Sequence, residues 1–295
     1  MSDAIDTQAP IDRMKNYMEL RGLRPNTVYS FSHCARNFLA HVGKAPAEIT
    51  SADVEGYLLN LARKGRSPQT RNVYLSAVRC LMFAIFGSDS RVITAGIPNA
   101  KIPRRCPEIL SGTEINRLFA ATDSPKYRAI FMLAYSAGLR VSEITALYAG
   151  DIDSKRMLIH VRGGKTGPRE VMLSPRVLLA LRDYWKAAGI TGPELFPGGR
   201  AQRPGTQLTR ESIHKVLTKV ARKAGLSKRV HPHTLRHCFA THMLESGADI
   251  RSVQVLLGHA VIGSTTKYLH LSRTHLHRHP SPLDLLGTPA GKILG

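Results

Sequence analysis

The chain has 295 residues, and 43% of them are hydrophobic, which is enough material for two folded domains with separate cores. The 42 Lys and Arg residues outnumber the 21 Asp and Glu residues, so the formal net charge of +21 predicts a polyanionic partner, with nucleic acid the first expectation. The sequence has no apolar run of membrane-spanning length, and its acidic first residues lack the apolar core of a signal peptide. We therefore expect a cytoplasmic protein with no membrane partner.

The four cysteines lie far apart and form no C-x-x-C pair, which argues against both a zinc site and a disulfide framework. The basic charge is uneven, because residues 1–100 carry 12 Lys/Arg and 8 Asp/Glu, whereas residues 101–295 carry 30 and 13. Most of the attraction for a polyanion therefore resides in the second part of the chain.

The first region, residues 11–87, has the apolar spacing of helices and almost no strand pattern. Ser67 followed by Pro68 predicts a helix start, and glycines that follow apolar stripes predict helix ends. The expected helices cover residues 11–21, 25–41, 52–64 and 68–86. We expect this region to be a small helical domain.

Basic residues gather where the third of these helices ends and the fourth begins. The set consists of Arg63, Lys64, Arg66 and Arg71. Two interpretations are open for it: a solvated helix face, or contacts with phosphates through side chains and a helix N-terminus. Residues 88–110 follow, and their Gly, Pro, Lys and Arg content predicts an extended basic linker rather than a packed element.

The second region, from residue 111, is predicted to be helical with one β-hairpin. Ser111 and Glu114 have the spacing of a capping box, which predicts a helix start. Residues 157–162 and 169–173 alternate around a Gly/Pro-rich turn that carries Lys165, as the two strands of a hairpin would.

A long loop is expected over residues 189–207, and a basic helix over residues 213–224. The basic helix presents four cations, either to solvent or to DNA. They are Lys215, Lys219, Arg222 and Lys223.

The stretch from residue 231 to residue 268 contains an unusual set of side chains. His233 and Arg236 stand three apart at the start of a helical pattern, His259 follows a Leu-Leu-Gly sequence, and Tyr268 comes nine residues later. A guanidinium beside an imidazole suits a phosphate. Each residue alone has a plainer interpretation as a packed or solvent-facing side chain, and Arg140, in A-G-L-R-V-S-E, could simply pair with Glu143.

Taken together, H-x-L-R, L-G-H and the final Tyr resemble the active-site signature of the tyrosine recombinases, also called the phage-integrase family. Arg140 falls on the first arginine motif of that family, and Lys165 falls on its hairpin motif K-T-G-x-x-R. The resemblance implies a mainly α fold: a helical N-terminal core-binding domain (11–87), a linker (88–110), and an α-rich catalytic domain with a small antiparallel sheet (111–272). Together they would form a clamp on double-stranded DNA.

The resemblance also implies the chemistry. Tyr268 would attack a phosphodiester and become joined to the 3′ phosphate, so that neither a cofactor nor a metal ion is needed. His233 would take the phenolic proton, Lys165 would protonate the departing 5′ oxygen, and Arg140, Arg236 and His259 would stabilise the charge on the phosphate. His231 is a rival to His233, but Pro232 would put it outside the helix.

The leading hypothesis is therefore site-specific recombination of DNA, such as integration, excision or resolution of a mobile element. Two alternatives stay open at this point: a type IB topoisomerase, and a DNA-binding protein that has the fold but no activity. The family also implies a monomer in free solution and a homotetramer on two duplexes. The tail, residues 273–295, is expected to dock through its leucines, in cis or on a neighbouring protomer.

Overall fold

The computed structural model describes residues 8–103, 107–163, 167–190, 192–198, 208–259, 261, 263–266 and 268. Within these ranges the chain forms two compact units that divide at residues 105 and 106. The first unit is all helical. The second is helical with a small sheet.

The first unit is built from amphipathic helices whose starts and stops follow the markers in the sequence. Ser67 accepts a hydrogen bond from the backbone of Thr70 at the start of the fourth helix, and Gly43 ends the second with φ +63. Thr50 and Asp53 form a capping box at the start of the third. The helices are α1 (Gln8–Leu20), α2 (Pro25–Val42), α3 (Ser51–Arg63), α4 (Pro68–Phe86) and α5 (Arg91–Thr94).

The segment after α4 corrects the expectation of an unpacked linker. Residues 87–90 form a 3-10 turn and α5 follows, while Ile97 is 4% exposed in the core of the unit. The Asn72 side chain exchanges two hydrogen bonds with the backbone of Ala100, and Arg79 donates to the carbonyl of Ile97 at 2.7 Å. Helices of four residues are too short to show a periodicity, so the sequence pattern did not reveal α5.

One helical stretch, Pro68–Thr94, is long and apolar enough by composition to cross a membrane. A core helix of a globular unit passes the same test. Leu75, Val78, Leu81 and Met82 of α4 are all buried against α1, α2 and α3. We therefore interpret this stretch as the central core helix of the first unit.

The second unit contains eight helices among its described residues. Ser111 and Glu114 form the predicted capping box at the first of them. The helices are α6 (Gly112–Ala120), α7 (Pro125–Ser136), α8 (Val141–Ile144), α9 (Pro175–Ala188), α10 (Arg210–Lys223), α11 (Pro232–Glu245), α12 (Ile250–Leu257) and α13 (Gly263–Thr266).

The sheet is antiparallel, with strand order β1-β2-β3. The predicted hairpin is present as β2 (Leu158–Val161) and β3 (Arg169–Met172), which pair Ile159 with Val171. A further strand, β1 (Ile152–Asp153), pairs with β2 and was not predicted, because two residues carry no alternation. Of the expected loop 189–207, the described part includes a bridge between Tyr148 and Glu194.

The core of the second unit surrounds α7 and α11. Its largest buried side chains include Phe131, Tyr184 and Phe196, and the sheet adds Ile159 and Val171. A smaller cluster around Phe239 and Leu257 joins α11, α12 and Tyr268. The fold class expected from the sequence, mainly α with a small antiparallel sheet, is confirmed. Because α12 packs against α11, Tyr268, near the end of the described residues, lies in the cluster that these two helices form.

Candidate active site

The stretch that carries most of the predicted site begins with a capped helix. The Nδ1 atom of His231 accepts a hydrogen bond from the backbone of Thr234 at 3.2 Å, and Pro232 fills the first position of α11. Desolvation, with help from nearby His214, lowers the pKa of His231, which favours the neutral ring that this role requires. His231 therefore lies outside α11, as predicted, and it also caps that helix.

Arg236 lies one turn into α11 and is 3% exposed. Its Nη1 donates to the carbonyl of Gly138 and its Nη2 to the carbonyl of Leu257, both at 2.6 Å. Desolvation lowers the pKa of Arg236 to about 10, and repulsion from Arg140 adds to the shift. A guanidinium with this pKa stays charged at neutral pH, so α11 holds a positive charge inside the unit.

Arg140 is the N-cap residue of α8, and it is bound to Glu143 twice. Its backbone N–H and its Nη1 each donate to the carboxylate at 2.8 Å, and its Nη2 donates to the carbonyl of Gly258 at 3.1 Å. Gly138 permits this turn, because its φ is +61 and an added Cβ would lie 2.8 Å from Cε1 of Phe239. The A-G-L-R motif thus places a guanidinium against the end of α12.

Arg169, from β3, binds both oxygens of the Glu143 carboxylate. Its Nη1 and Nη2 donate to the two carboxylate oxygens at 2.9 and 3.0 Å, and its Nε donates to the carbonyl of Leu256 at 3.0 Å. Burial pushes the pKa of Glu143 upward, but hydrogen bonds from Arg169 and Arg140 outweigh that effect, and the pKa lies below its usual value. Glu143 is therefore an ionised carboxylate in the interior.

Three successive carbonyls at the C-terminal end of α12 each accept a hydrogen bond from a different arginine. Leu256 binds Arg169, Leu257 binds Arg236, and Gly258 binds Arg140. The end of a helix leaves such carbonyls without helical partners and carries partial negative charge. Three guanidiniums against one carboxylate leave a surplus of two positive charges, so the arrangement can bind an anion.

Tyr268 lies beside this cluster with 1% of its surface exposed. Its hydroxyl is 2.8 Å from Nδ1 of His237, and the ring of His259 lies parallel to its own ring at 6.4 Å. Burial raises the pKa of Tyr268 to about 12, although Arg236 and Arg140 act in the opposite direction. The phenol therefore keeps its proton at neutral pH and sits close to both an imidazole and two guanidiniums.

Four of the six residues predicted to be catalytic converge: Arg140, Arg236, His259 and Tyr268. His233 is exposed on the first turn of α11, with its ring centre 6.4 Å from that of His237. On α11 the four-residue step from His233 to His237 leaves about 40° between them, and the three-residue step to Arg236 leaves about 60° in the other direction. His233 is therefore nearer to His237 on the helix surface, while Arg236 is buried. Lys165 lies outside the described residues.

Sequence reasoning assigned no role to two residues of the cluster, His237 and Arg169. His237 follows Arg236 directly and stands four residues after His233, a helical spacing that could have signalled it. Arg169 stands four residues after Lys165, one position before the Arg of K-T-G-x-x-R, and that motif was used only to identify Lys165. The pairing of Arg140 with Glu143, considered as the plainer alternative, is present in addition to the predicted clustering.

The predicted DNA-contacting residues are divided between the two units. Arg63, Lys64 and Arg66 are exposed at the end of α3 and the following turn, whereas Arg71 is half-buried and its Nε has no hydrogen-bond partner. On α10 all four cations predicted to contact DNA are exposed. Lys223 is held by Asp123 at 2.6 Å, so Lys215, Lys219 and Arg222 form the exposed basic stripe of that helix.

Within the described ranges, no group of three His, Cys, Asp or Glu residues could hold a metal ion. Cys34, Cys80 and Cys238 are free thiols, while Cys106 and the leucine-containing tail lie outside the described residues.

Comparison with protein-family models gives two matches. Residues 108–275 match the model of the phage integrase family, and residues 11–89 match that of the phage integrase N-terminal SAM-like domain. The first match covers more than half of the chain. It includes Arg140, Arg236, His259 and Tyr268.

Individual proteins give the same result. The chain is 33% identical over 282 residues to the tyrosine recombinase XerA of Pyrococcus horikoshii, and this match covers 95% of each chain. It is 36% identical over 238 residues to the tyrosine recombinase XerC of Xanthomonas campestris, and this match covers 78% of this chain and 72% of the relative. The fold resembles that of one chain in the structure of a lambda integrase tetramer bound to a Holliday junction. The TM-score is 0.72 at 18% sequence identity, and the match covers 90% of this chain and 78% of that chain.

These relatives are recombinases, and the comparisons favour that activity over the topoisomerase and the inactive DNA-binding protein that the sequence left open. The chain belongs to the phage integrase family and is a tyrosine-type site-specific recombinase.

Proposed function

We propose that this recombinase cuts DNA by attack of the Tyr268 oxygen on a phosphodiester. The new bond joins Tyr268 to the 3′ phosphate, the bond from phosphorus to the 5′ oxygen breaks, and that oxygen leaves with the electron pair and takes up a proton. Rejoining is the reverse reaction with a 5′ hydroxyl from a partner strand. The energy of the broken bond is kept in the phosphotyrosyl link, so the reaction requires no cofactor.

The observation that carries this proposal is the position of Tyr268 beside Arg140 and Arg236, whose charges act on its phenol. In our proposal the two arginines and His259 bind the nonbridging oxygens of the phosphate, where negative charge grows in the transition state. Fixed charges in a buried site stabilise such a state more than they would in water. Glu143 and the carbonyls of α12 hold the arginines in place.

Two proton transfers accompany each cut. We assign the role of proton donor to Lys165, which would protonate the departing 5′ oxygen, as the hairpin motif implies. An imidazole of α11 would accept the phenolic proton, with His233 the residue that the sequence indicates. No metal ion has a role in this scheme, because cationic side chains supply the charge at the phosphate.

We further propose that double-stranded DNA with specific recombination sites is the partner. The described cations of the helical domain (11–87) and of α10 in the catalytic domain (111–272) would contact phosphates. They are Arg63, Lys64, Arg66, Arg71, Lys215, Lys219, Arg222 and Lys223. The net charge of +21 supports this assignment.

The working assembly would be a homotetramer on two duplexes, formed from monomers in the cytoplasm, with the tail (273–295) contributing to the contacts between protomers. The structural similarity to a lambda integrase tetramer on a Holliday junction supports this assembly. Integration, excision or resolution of a mobile element would all use the same chemistry.

The test uses a library of nicked duplexes with a randomised core, in which loss of the strand beyond the nick traps any covalent adduct. Tyr268→Phe should still shift the library in a native gel but form no denaturant-resistant adduct, because the phenol oxygen alone is removed. Tyr135→Phe is the matched control, since Tyr135 also bonds a histidine, His242, at 2.9 Å. Adducts from Tyr268→Phe at the level of the parent protein would rule out Tyr268 as the nucleophile.

A further inference from the structure

The hydroxyl of Tyr268 is in direct contact with an imidazole that the sequence motifs did not assign. Nδ1 of His237 lies 2.8 Å from the phenol oxygen, and the two ring centres are 5.5 Å apart. His233 is on the same face of α11, one turn earlier, and its ring centre is 6.4 Å from that of His237. The two histidines are therefore candidates for one chemical task, and the contact with the phenol oxygen favours His237.

The phenolic proton must leave before or during attack. Tyr268 is 1% exposed, so bulk water has little access to this proton, and a pKa of about 12 makes the spontaneously ionised fraction at pH 7 about one in 10⁵. A base already in hydrogen-bond contact removes this limit, and histidine, with an ordinary pKa of about 6.5, has the basicity that neutral pH requires.

We propose that His237 is the catalytic residue that accepts the proton of Tyr268. The inference rests on Tyr268 being the nucleophile. In this proposal the ring of His237 carries its hydrogen on Nε2 before the reaction, so that Nδ1 accepts the hydrogen bond from the phenol. As the phenol oxygen bonds to phosphorus, its proton moves to Nδ1 and the ring becomes an imidazolium. In rejoining, the imidazolium returns that proton to the phenol oxygen as the phosphotyrosyl bond breaks.

The charge around His237 changes when the phosphate is bound. The three arginines of the cluster exceed Glu143 by two positive charges, which opposes an imidazolium in the absence of DNA. Negative charge arriving on the bound phosphate would offset the new imidazolium.

The test separates proton transfer from positioning. His237→Asn keeps a polar atom near the position of Nδ1 but removes the basicity, so the adduct-forming rate should fall by about 100-fold or more, the usual contribution of a general base. Replacing Tyr268 by a fluorinated tyrosine whose phenol ionises near neutral pH should then restore the rate to within about tenfold of the fluorinated parent. His233→Asn is the matched variant on the same helix face and should show no such rescue.

The rate is measured as single-turnover adduct formation on a duplex enriched from the randomised library, with circular dichroism and native-gel binding showing that each variant is folded. Parent-like rates for His237→Asn, or rescue of His233→Asn in place of His237→Asn, would overturn the assignment. Absence of adducts from the parent protein is a different result, because it would refute the proposed function itself.

Discussion

Removing Arg169 should destabilise the second unit far more than removing an ordinary surface cation. Arg169→Met keeps the length of the side chain but deletes both hydrogen bonds to Glu143 and the one to Leu256. The carboxylate, 3% exposed, would retain Arg140 at 2.8 Å and Arg236 at 3.9 Å. Because breaking a buried ion pair costs about 3–5 kcal/mol and Glu143 keeps one close partner, we expect a loss of about 3 kcal/mol.

Urea denaturation followed by tryptophan fluorescence measures this loss, since the single Trp185 lies in α9 of the second unit and reports on that unit. Lys223→Met is the matched control. It breaks an ion pair with Asp123 whose side chains are 53% and 82% exposed, and such an exposed pair contributes little to stability.

The difference between the parent and Arg169→Met should shrink at acid pH. The pKa of Glu143 is lowered in the folded state, so its ionised form contributes stability above the unfolded-state pKa, and this contribution is lost as pH falls through the folded-state pKa. Without Arg169 the pKa of Glu143 is lowered less, so the variant loses less stability than the parent protein when Glu143 becomes protonated. A cost at pH 7 no greater than that of the control would refute the role given to this ion pair.

Two further predictions concern the backbone and the DNA contacts. Gly138→Ala should cost about 3 kcal/mol, about 1 for the left-handed backbone and about 2 for overpacking, whereas Gly189→Ala, at φ +56 with open space around it, should cost only about 1 by the same denaturation assay. Equal costs would contradict the close packing assigned to Gly138. Changing Lys215 and Lys219 together to Gln should reduce the slope of log affinity against log salt by about 2, as measured by fluorescence anisotropy on duplex DNA, while Lys186→Gln on α9 should leave it unchanged. An unchanged slope for the double variant would remove α10 from the interface.

Local patterns in the sequence specified much of the secondary structure. Capping residues such as Ser111 and apolar stripes of 12 or more residues predicted most of the longer helices, because a cap and a periodicity are properties of neighbouring residues. The sequence patterns did not predict α5 and β1, because elements of four and two residues are too short to show a helical or strand periodicity. Their positions follow from contacts that the rest of the fold provides.

The motifs also predicted which functional groups belong to the site, and four of the six predicted catalytic residues lie together. Only the tertiary structure decided how they are connected. Arg169 and Glu143 are 26 positions apart, and Tyr268 and His237 are 31 apart, so no local pattern relates them. The packing of α12 against α11 and β3 decides that Glu143 is shared by arginines and that Tyr268 contacts His237, because hydrogen bonds over such separations depend on where the helices come to rest.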